Sequence, residues 1–432
     1  MASKGKILII GAGLAGLTAA HYLKEAGYDV LVFEKETRPG GRIQAKTIQG
    51  DVIDVGAQFY HTNYKICLDL IRTYQLDANI IAMNNYNMIM KADQQKKYIR
   101  MGSILGTSVS LWSRLVMTRL VLPILLNRKS MALDRWPGLL EFDQVDLAAY
   151  TRRKLNEEIL EYAVRPLMLT YSMSEPETIS LSYFLRSFYM YLTTGSFFLR
   201  GGNDLLTKAL AQNTDIKYQT TIKRIITNQK GEACGLETEA NRFEGSAVIS
   251  AIPSPELFPL YADWDQEQRG FLQDFEFARL PMVVFVGSIK DTVSYWGGIN
   301  NRLSGHRVSY MTYPHQKGGD QCKARYMQAW PLGDFGRELI DAPDDKVIQA
   351  VSRELEKHGL FNIDPLQSAF VIRHQHTYPQ FRTGMFQQLI NLKNSEGNPK
   401  GLFLAGDYTE GGLLEGAAQS GFKAAQRVIA AG

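Results

Sequence analysis

Near the start of the chain, three glycines, an acid and an arginine are spaced for a ligand that carries phosphate. The run Gly11-Ala12-Gly13-Leu14-Ala15-Gly16 is GxGxxG, Glu34 and Lys35 close the next apolar segment, and Gly41-Arg42 ends the loop that follows. Gly11 permits a tight turn, Gly13 lets the backbone approach a pyrophosphate without a Cβ in the way, and Gly16 lets a helix pack close to a strand. Unpaired amides in the first helical turn, around Ala15, face the phosphate charge. Glu34 can accept hydrogen bonds from two ribose hydroxyls, and Arg42 can pair bidentately with pyrophosphate oxygens.

These residues need a strand, a turn, a helix and a second parallel strand to hold them. Ile7–Ile10 is an apolar run, a segment of helical composition reaches Gly27, and Tyr28–Phe33 is β-rich and ends at Glu34. That is a dinucleotide-binding βαβ unit. The charge of Glu34 would repel the extra phosphate of NADP, which leaves NAD or FAD.

With 432 residues the chain is too long for one hydrophobic core, so two domains are expected. It is 45% hydrophobic and 21% charged, and its net charge of +4 is not gathered into a long run, so no nucleic-acid partner is indicated. Cys67, Cys234 and Cys322 lie far apart without CxxC spacing, which indicates neither a disulfide framework nor a zinc site, and no metal is expected. Reducing, cytoplasmic surroundings follow as the expectation, since Ile7–Ile10 is needed as a strand and leaves no cleavable signal to be read.

Gln44–Ile48 and Val52–Val55 alternate about Gln49-Gly50-Asp51, a hairpin pattern that leads into Gly56-Ala57-Gln58-Phe59-Tyr60-His61. Towards the C-terminus, Gly401-Leu402-Phe403-Leu404-Ala405-Gly406-Asp407 reads as a short strand ending in Gly-Asp. Leu413-Leu414-Glu415-Gly416-Ala417-Ala418-Gln419-Ser420-Gly421 then opens a final helix. GAGLAGLTAA, FEKETRPGGRI and DVIDVGAQF resemble the flavin amine oxidase superfamily, which includes monoamine oxidases, protoporphyrinogen oxidases and plant-type phytoene desaturases.

The resemblance implies FAD as the tightly held cofactor. It implies an α/β fold with a Rossmann-like FAD-binding domain (residues 1–80, 196–275 and 390–432) and a discontinuous α+β substrate domain (81–195 and 276–389). It assigns Asp407, after Gly406, to the ribityl-pyrophosphate region, and the final helix's first turns, Leu414, Glu415 and Ala418, to the pyrimidine edge. Gly56, Ala57 and Gln58 also fall to the cofactor, and Ile222 meets the adenine through its backbone.

The intervening segments read less sharply. Thr107–Asn127 is strongly apolar but carries Arg114 and Arg119, too costly at the centre of a bilayer span. Two readings remain, a buried helix of the substrate domain or an interfacial helix giving peripheral membrane contact. Asp146–Leu169 has the spacing of one amphipathic helix. The phrase RRKLNEEILEYAVRPLMLTYSMSEPETISL is similar to the helical substrate domain of protoporphyrinogen oxidases, placing Tyr171 and Ser174 either at a pocket or in packing. Ile216–Thr227, Ala233–Glu239 and Ala247–Ala251 are β-rich. Tyr295-Trp296, Tyr310–Tyr313, Tyr326–Trp330 and Tyr378–Phe386 read as aromatic strands, serving either as core or as the floor of an apolar pocket.

Departures from the resembled family bear on the reaction. Met385 stands where monoamine oxidases carry the cysteine that links FAD, so the flavin is expected to be non-covalent. The positions of the paired aromatic cage are read as Phe386 and the aliphatic Leu413, and Pro281–Val286 lacks the lysine that many amine oxidases place there. The leading expectation is hydride removal by FAD from a small apolar substrate, forming C=C or C=N, with oxygen or a quinone as electron acceptor. Alternatives are oxidation of a secondary or cyclic amine such as a pyrroline, and a flavin- or NAD-binding protein without turnover. Gln58 and Tyr378 are the catalytic candidates, with Tyr60, His61 and Tyr408 as further polar groups.

Overall fold

A computed structural model describes residues 4–83, 86–90, 96–100, 109–127, 140–289, 293, 295–300, 303, 305–317, 326–394 and 399–431. Cys322 and the first residues of the 107–127 segment lie outside them.

The βαβ unit forms as its pattern requires. Lys6–Ile10 and Asp29–Phe33 are parallel neighbours, joined by the helix Leu14–Glu25. Parallel pairing continues on both sides, with Asp215–Lys217 beside Asp29–Phe33, Ala247–Ser250 beside Lys6–Ile10, and Leu402–Leu404 at the far edge. The near-continuous Ile, Leu and Val composition of the two central strands suits a sheet covered on both faces. Helix Leu14–Glu25 packs against the last helix, Leu413–Ala431, across small buried residues including Ala19, Ala424 and Ala425. A Cβ on Gly421 would sit 2.0 Å from the Ala15 carbonyl oxygen, so the two backbones touch.

A second, seven-stranded sheet runs in the order Ile363–His374, Leu280–Ile289, Tyr326–Trp330, Tyr310–Thr312, Gly297–Ile299, Tyr86–Met90, Lys96–Arg100. It is antiparallel except where Gly297–Ile299 runs parallel to Tyr86–Met90. The architecture is therefore α/β, with a parallel sheet beside a mixed one. No helix among the described residues is long and apolar enough to cross a membrane.

Two local expectations need correction. The single helix expected over Asp146–Leu169 is interrupted. Leu147–Lys154 ends, Asn156 accepts a hydrogen bond from the Ile159 amide and starts a new helix, a π-helical stretch covers Leu160–Val164, and Pro166 sits in the first turn of Arg165–Tyr171. A capping asparagine and a proline that cannot donate into the preceding turn outweigh the apolar periodicity. Within that stretch, buried Arg165 is ringed by Glu161, Glu175 and Glu177, three carboxylates that compensate its charge. The aromatic run Tyr378–Phe386 is irregular up to Gly384 and then enters the helix Met385–Asn394 rather than the sheet.

Candidate active site

The carboxyl ends of four parallel strands open into one cavity of about 920 Å³. Gly11 follows the first strand, Glu34 the second, Ala251 the one at Ala247–Ser250, and Gly406-Asp407 the edge strand, and all of them line it. A ligand crevice belongs at these ends of an open parallel sheet, where loops and helix N-termini converge.

The glycine turn is built as its spacing implies. A Cβ on Gly16 would fall 2.0 Å from the Gly11 carbonyl oxygen, so only glycine lets the helix sit this close to its strand. At Gly13, by contrast, a Cβ would meet no atom within 4 Å: the turn leaves open space where a phosphate-bearing group fits. Helix Leu14–Glu25 starts there with no side-chain cap, which leaves its first amides for a ligand. Gly13, Leu14 and Ala15 line the cavity. Glu34 is buried, its carboxylate accepting hydrogen bonds from the amides of Ala12 (2.8 Å) and Glu36 (2.9 Å). Lys35 also lines the cavity and pairs with Glu256 at 2.8 Å. Ile222, with Thr220 and Thr221, forms part of the same wall.

Arg42 departs from expectation. Its guanidinium fork is taken by Asp407, Nη1 to Oδ2 at 2.8 Å and Nη2 to Oδ1 at 2.7 Å, and Nη1 also donates to the Thr377 carbonyl at 3.0 Å. A bidentate pair of this kind fixes geometry as well as charge. Arg42 therefore ties the Gly40–Arg42 loop to the C-terminal segment, and the pair lines the cavity as a unit.

Gly41, Gly56, Ala57, Gln58, Gly406 and Leu414 line the cavity, as does Tyr378. Glu415 and Ala418 do not. The Glu415 carboxylate is fully buried and accepts hydrogen bonds from the amides of Lys65 (2.8 Å), Ile66 (2.8 Å) and Cys67 (3.0 Å). It caps the N-terminus of helix Ile66–Thr73 from another element, compensating amides that have no partner within that helix. Ala418 is buried in helix packing.

Of the polar candidates, Gln58 and Tyr378 reach the cavity, whereas Tyr60, His61 and Tyr408 lie behind its wall. Gln58 Nε2 donates to the carbonyls of Asp54 (3.0 Å) and Gly56 (2.9 Å). With both amide hydrogens engaged, it offers the cavity a carbonyl oxygen. Tyr378 accepts a 2.7 Å hydrogen bond from Tyr183. Burial pushes the Tyr378 phenol well up and that of Tyr183 to about 12, so both keep their protons at neutral pH. Tyr60 donates to the Asn203 carbonyl, and Tyr408 is packed among Phe271, Phe275 and Phe277. His61 is buried and hydrogen-bonds through Nε2 to Tyr171 Oη at 2.7 Å, with Nδ1 3.4 Å from the Gly195 carbonyl. Burial lowers its pKa to about 4, so the imidazole is neutral. Tyr171 itself lines the cavity, and Ser174 does not.

The far end of the cavity is apolar, with Phe59, Leu169, Met173, Trp296, Tyr310 and Trp330. Trp296 lies edge-on to both Phe59 and Tyr310. The aromatic strand composition thus supplies a pocket wall as well as core. Met385 and Phe386 are buried away from the cavity, and the segment that faces it runs from Arg373 to Tyr378. Leu413 and Tyr378 both line the cavity, and no cysteine occurs among the described lining residues.

Several residues had no readable signal. Buried Lys317 bonds buried Asp54 at 2.6 Å, and Gln328 donates to the Asp54 carbonyl, so the mixed sheet grips the hairpin that presents Gln58. His374 and Glu256 come to the wall from distant parts of the chain.

The family model for flavin-containing amine oxidoreductases matches residues 14–429. The chain belongs to this family. It is similar to coproporphyrinogen III oxidase of Staphylococcus aureus, at 23% identity over 90% of this chain and 91% of that protein. Among solved structures it matches an Exiguobacterium protein provisionally assigned as a protoporphyrinogen oxidase, with a TM-score of 0.81 and 18% identity over the whole of both chains. Putrescine oxidase bound to putrescine matches with a TM-score of 0.77 and 16% identity over 99% of each chain. This flavin amine oxidoreductase is an FAD-dependent oxidoreductase enzyme, which displaces the reading of a binder without turnover.

Three outcomes follow from this geometry. Gly13→Val should leave the apoprotein's melting temperature unchanged while weakening FAD at least about tenfold, roughly 1.4 kcal/mol. FAD titration monitored by flavin fluorescence, beside apoprotein melting, separates the two effects, and unweakened FAD binding would remove Gly13 from the cradle. Glu415→Ala should cost about 2 kcal/mol by leaving charge-assisted hydrogen bonds unmade, with FAD stoichiometry retained. Loss of FAD from a variant that still melts normally would restore Glu415 to the cofactor. For His61 the folded pKa, about 4, lies below the unfolded 6.5. The unfolded state binds the extra proton between those values, so stability is lost as pH falls through that window, by about 3 kcal/mol in all. The fall in melting temperature from pH 7.5 to pH 5 should shrink in His61→Gln, and an equal fall in both proteins would contradict the assignment.

Proposed function

We propose that the enzyme removes hydride from a C–H bond of a small apolar substrate to form C=C or C=N, in the manner of porphyrinogen oxidation. The observation that carries this reading is the composition of the far chamber. It is aromatic and aliphatic, and the carboxylates that line the cavity belong with the cofactor-facing elements: Glu34 and Glu36 follow the second strand, Glu256 pairs with Lys35 and Asp407 with Arg42. A protonated amine placed there would lose its hydration without gaining a counter-charge. Similarity along nearly the whole length of a coproporphyrinogen III oxidase supports the same type of oxidation.

In this reading residues 1–80, 196–275 and 390–432 hold FAD, and 81–195 with 276–389 hold the substrate. The parallel sheet draws its strands from the first set and the mixed sheet from the second, which agrees with that division. FAD would be held by the Gly11–Ala15 turn, Glu34, Lys35, the Gly41-Arg42 loop with Asp407, Gly56–Gln58, Ile222, Gly406 and Leu414, and it would be non-covalent. Bound FAD supplies the hydride-accepting centre. The aromatic wall orients the substrate and excludes water. The Gln58 carbonyl offers an acceptor for a substrate N–H, and the Tyr378 hydroxyl, protonated throughout the neutral range, serves as a hydrogen-bond donor and not as a base. Oxygen or a quinone reoxidises the flavin.

Putrescine oxidase likeness favours a second reading, oxidation of a secondary or cyclic amine in its neutral form. Anaerobic stopped-flow mixing separates the two. A porphyrinogen should bleach the oxidised flavin band near ~450 nm, the cofactor carrying the redox change, at least about tenfold faster than a pyrroline at equal concentration. Faster bleaching by the pyrroline would transfer the assignment to the cyclic amine, and bleaching by neither would reject both.

A further inference from the structure

Helix Leu111–Leu126 is apolar on both of its faces, and among the described residues only one is covered. Val116, Met117, Leu120 and Ile124 are buried, and the helix packs on the helix Leu181–Thr193. The opposite face presents Leu111 (75% exposed), Trp112 (69%), Leu115 (65%), Leu122 (58%), Leu125 (62%) and Leu126 (75%). A helix apolar all round belongs in an apolar environment, and a contiguous bare patch of large side chains marks an interaction surface.

Charge says what covers it. The helix contains no acidic residue, and its two charged side chains, Arg114 and Arg119, are exposed along the bare face. At about 100° per residue they fall towards opposite flanks of the leucine stripe, where a long guanidinium stem can run along apolar surface and hold its head in a polar layer. Arg119 donates to the Lys154 carbonyl, which brings the exposed end of helix Leu147–Lys154, with Arg153 and Lys154, beside the same face. The nearby Glu158 is held by Ser110 and Ser113, and Glu157 by Arg152. Two copies packed through this face would set arginine rows of one sign against each other. An anionic bilayer surface instead supplies apolar depth beneath the leucines and negative headgroups at the flanks. Sixteen residues cover about 24 Å, short of a hydrocarbon core.

We propose that the outer face of Leu111–Leu126 docks the enzyme onto an anionic lipid bilayer, the helix lying in the interface without crossing it. The test is co-sedimentation of the FAD-loaded enzyme with phosphatidylcholine vesicles and with vesicles also containing phosphatidylglycerol. Binding is expected to the anionic vesicles, weakened by salt. Leu115→Glu/Leu122→Glu should lower the partition coefficient at least about tenfold. Arg114→Gln/Arg119→Gln should abolish the preference for phosphatidylglycerol. All these side chains are exposed, and an unchanged flavin spectrum checks that each variant is folded; Leu115→Gln/Leu122→Gln replaces the glutamate pair if that check fails. The proposal is overturned by absence of binding to either vesicle, by leucine variants that bind as the parent does, or by sedimentation equilibrium showing a dimer that the leucine variant splits while vesicles stay unbound.

Discussion

Two helices from opposite ends of the chain meet backbone to backbone, and the site depends on that approach. Gly16 lets the helix Leu14–Glu25 press onto the turn at Gly11, and Gly421 lets the helix Leu413–Ala431 press onto Ala15. A side chain at either glycine would collide with a carbonyl oxygen, which cannot move without breaking the turn or the helix that owns it. Because both contacts are held, the N-terminal turn and the loop carrying Gly406-Asp407 lie within reach of one ligand. The fork between Arg42 and Asp407 then fixes the register of those loops.

Charge is distributed unevenly along the cavity, and this separates its two tasks. The dinucleotide end is ionic but internally compensated, with Glu34 held by amides, Arg42 by Asp407 and Lys35 by Glu256. Its fixed dipoles and charges need little rearrangement when a charged cofactor arrives. The far end is built of rings and aliphatic chains, and its polar groups keep their ordinary neutral forms. The proposed oxidation of an apolar molecule by FAD would need this division, since binding of the cofactor and exclusion of water make opposite demands on a wall.

The cofactor half was largely legible in the sequence because its determinants are local. Gly11, Gly13, Gly16 and Glu34 act within one βαβ unit, where spacing translates directly into geometry. Glu415 and Ala418 misled for the opposite reason: position on the last helix is local, but the direction of a side chain depends on what packs against it. Glu415 turns to the amides at Lys65–Cys67, which no pattern around residue 415 records. Met385 and Phe386 show a register error of the same kind, since the cavity is faced by residues 373–378 and the later ones have already entered a helix. The aromatic chamber is assembled from Phe59, Leu169, Trp296 and Trp330, so its composition could be anticipated and its shape could not.

The pair formed by Asp54 and Lys317 places a constraint on how this protein can diverge. Both groups are buried, and losing either partner would strand a charge at a cost of about 3–5 kcal/mol, whereas replacing both with apolar residues of similar volume is often neutral. A lineage can leave this arrangement easily only by changing both positions at once. Between those alternatives lie single substitutions that selection removes, so the hairpin presenting Gln58 and the sheet behind it are tied to a shared history even though they meet across most of the chain's length.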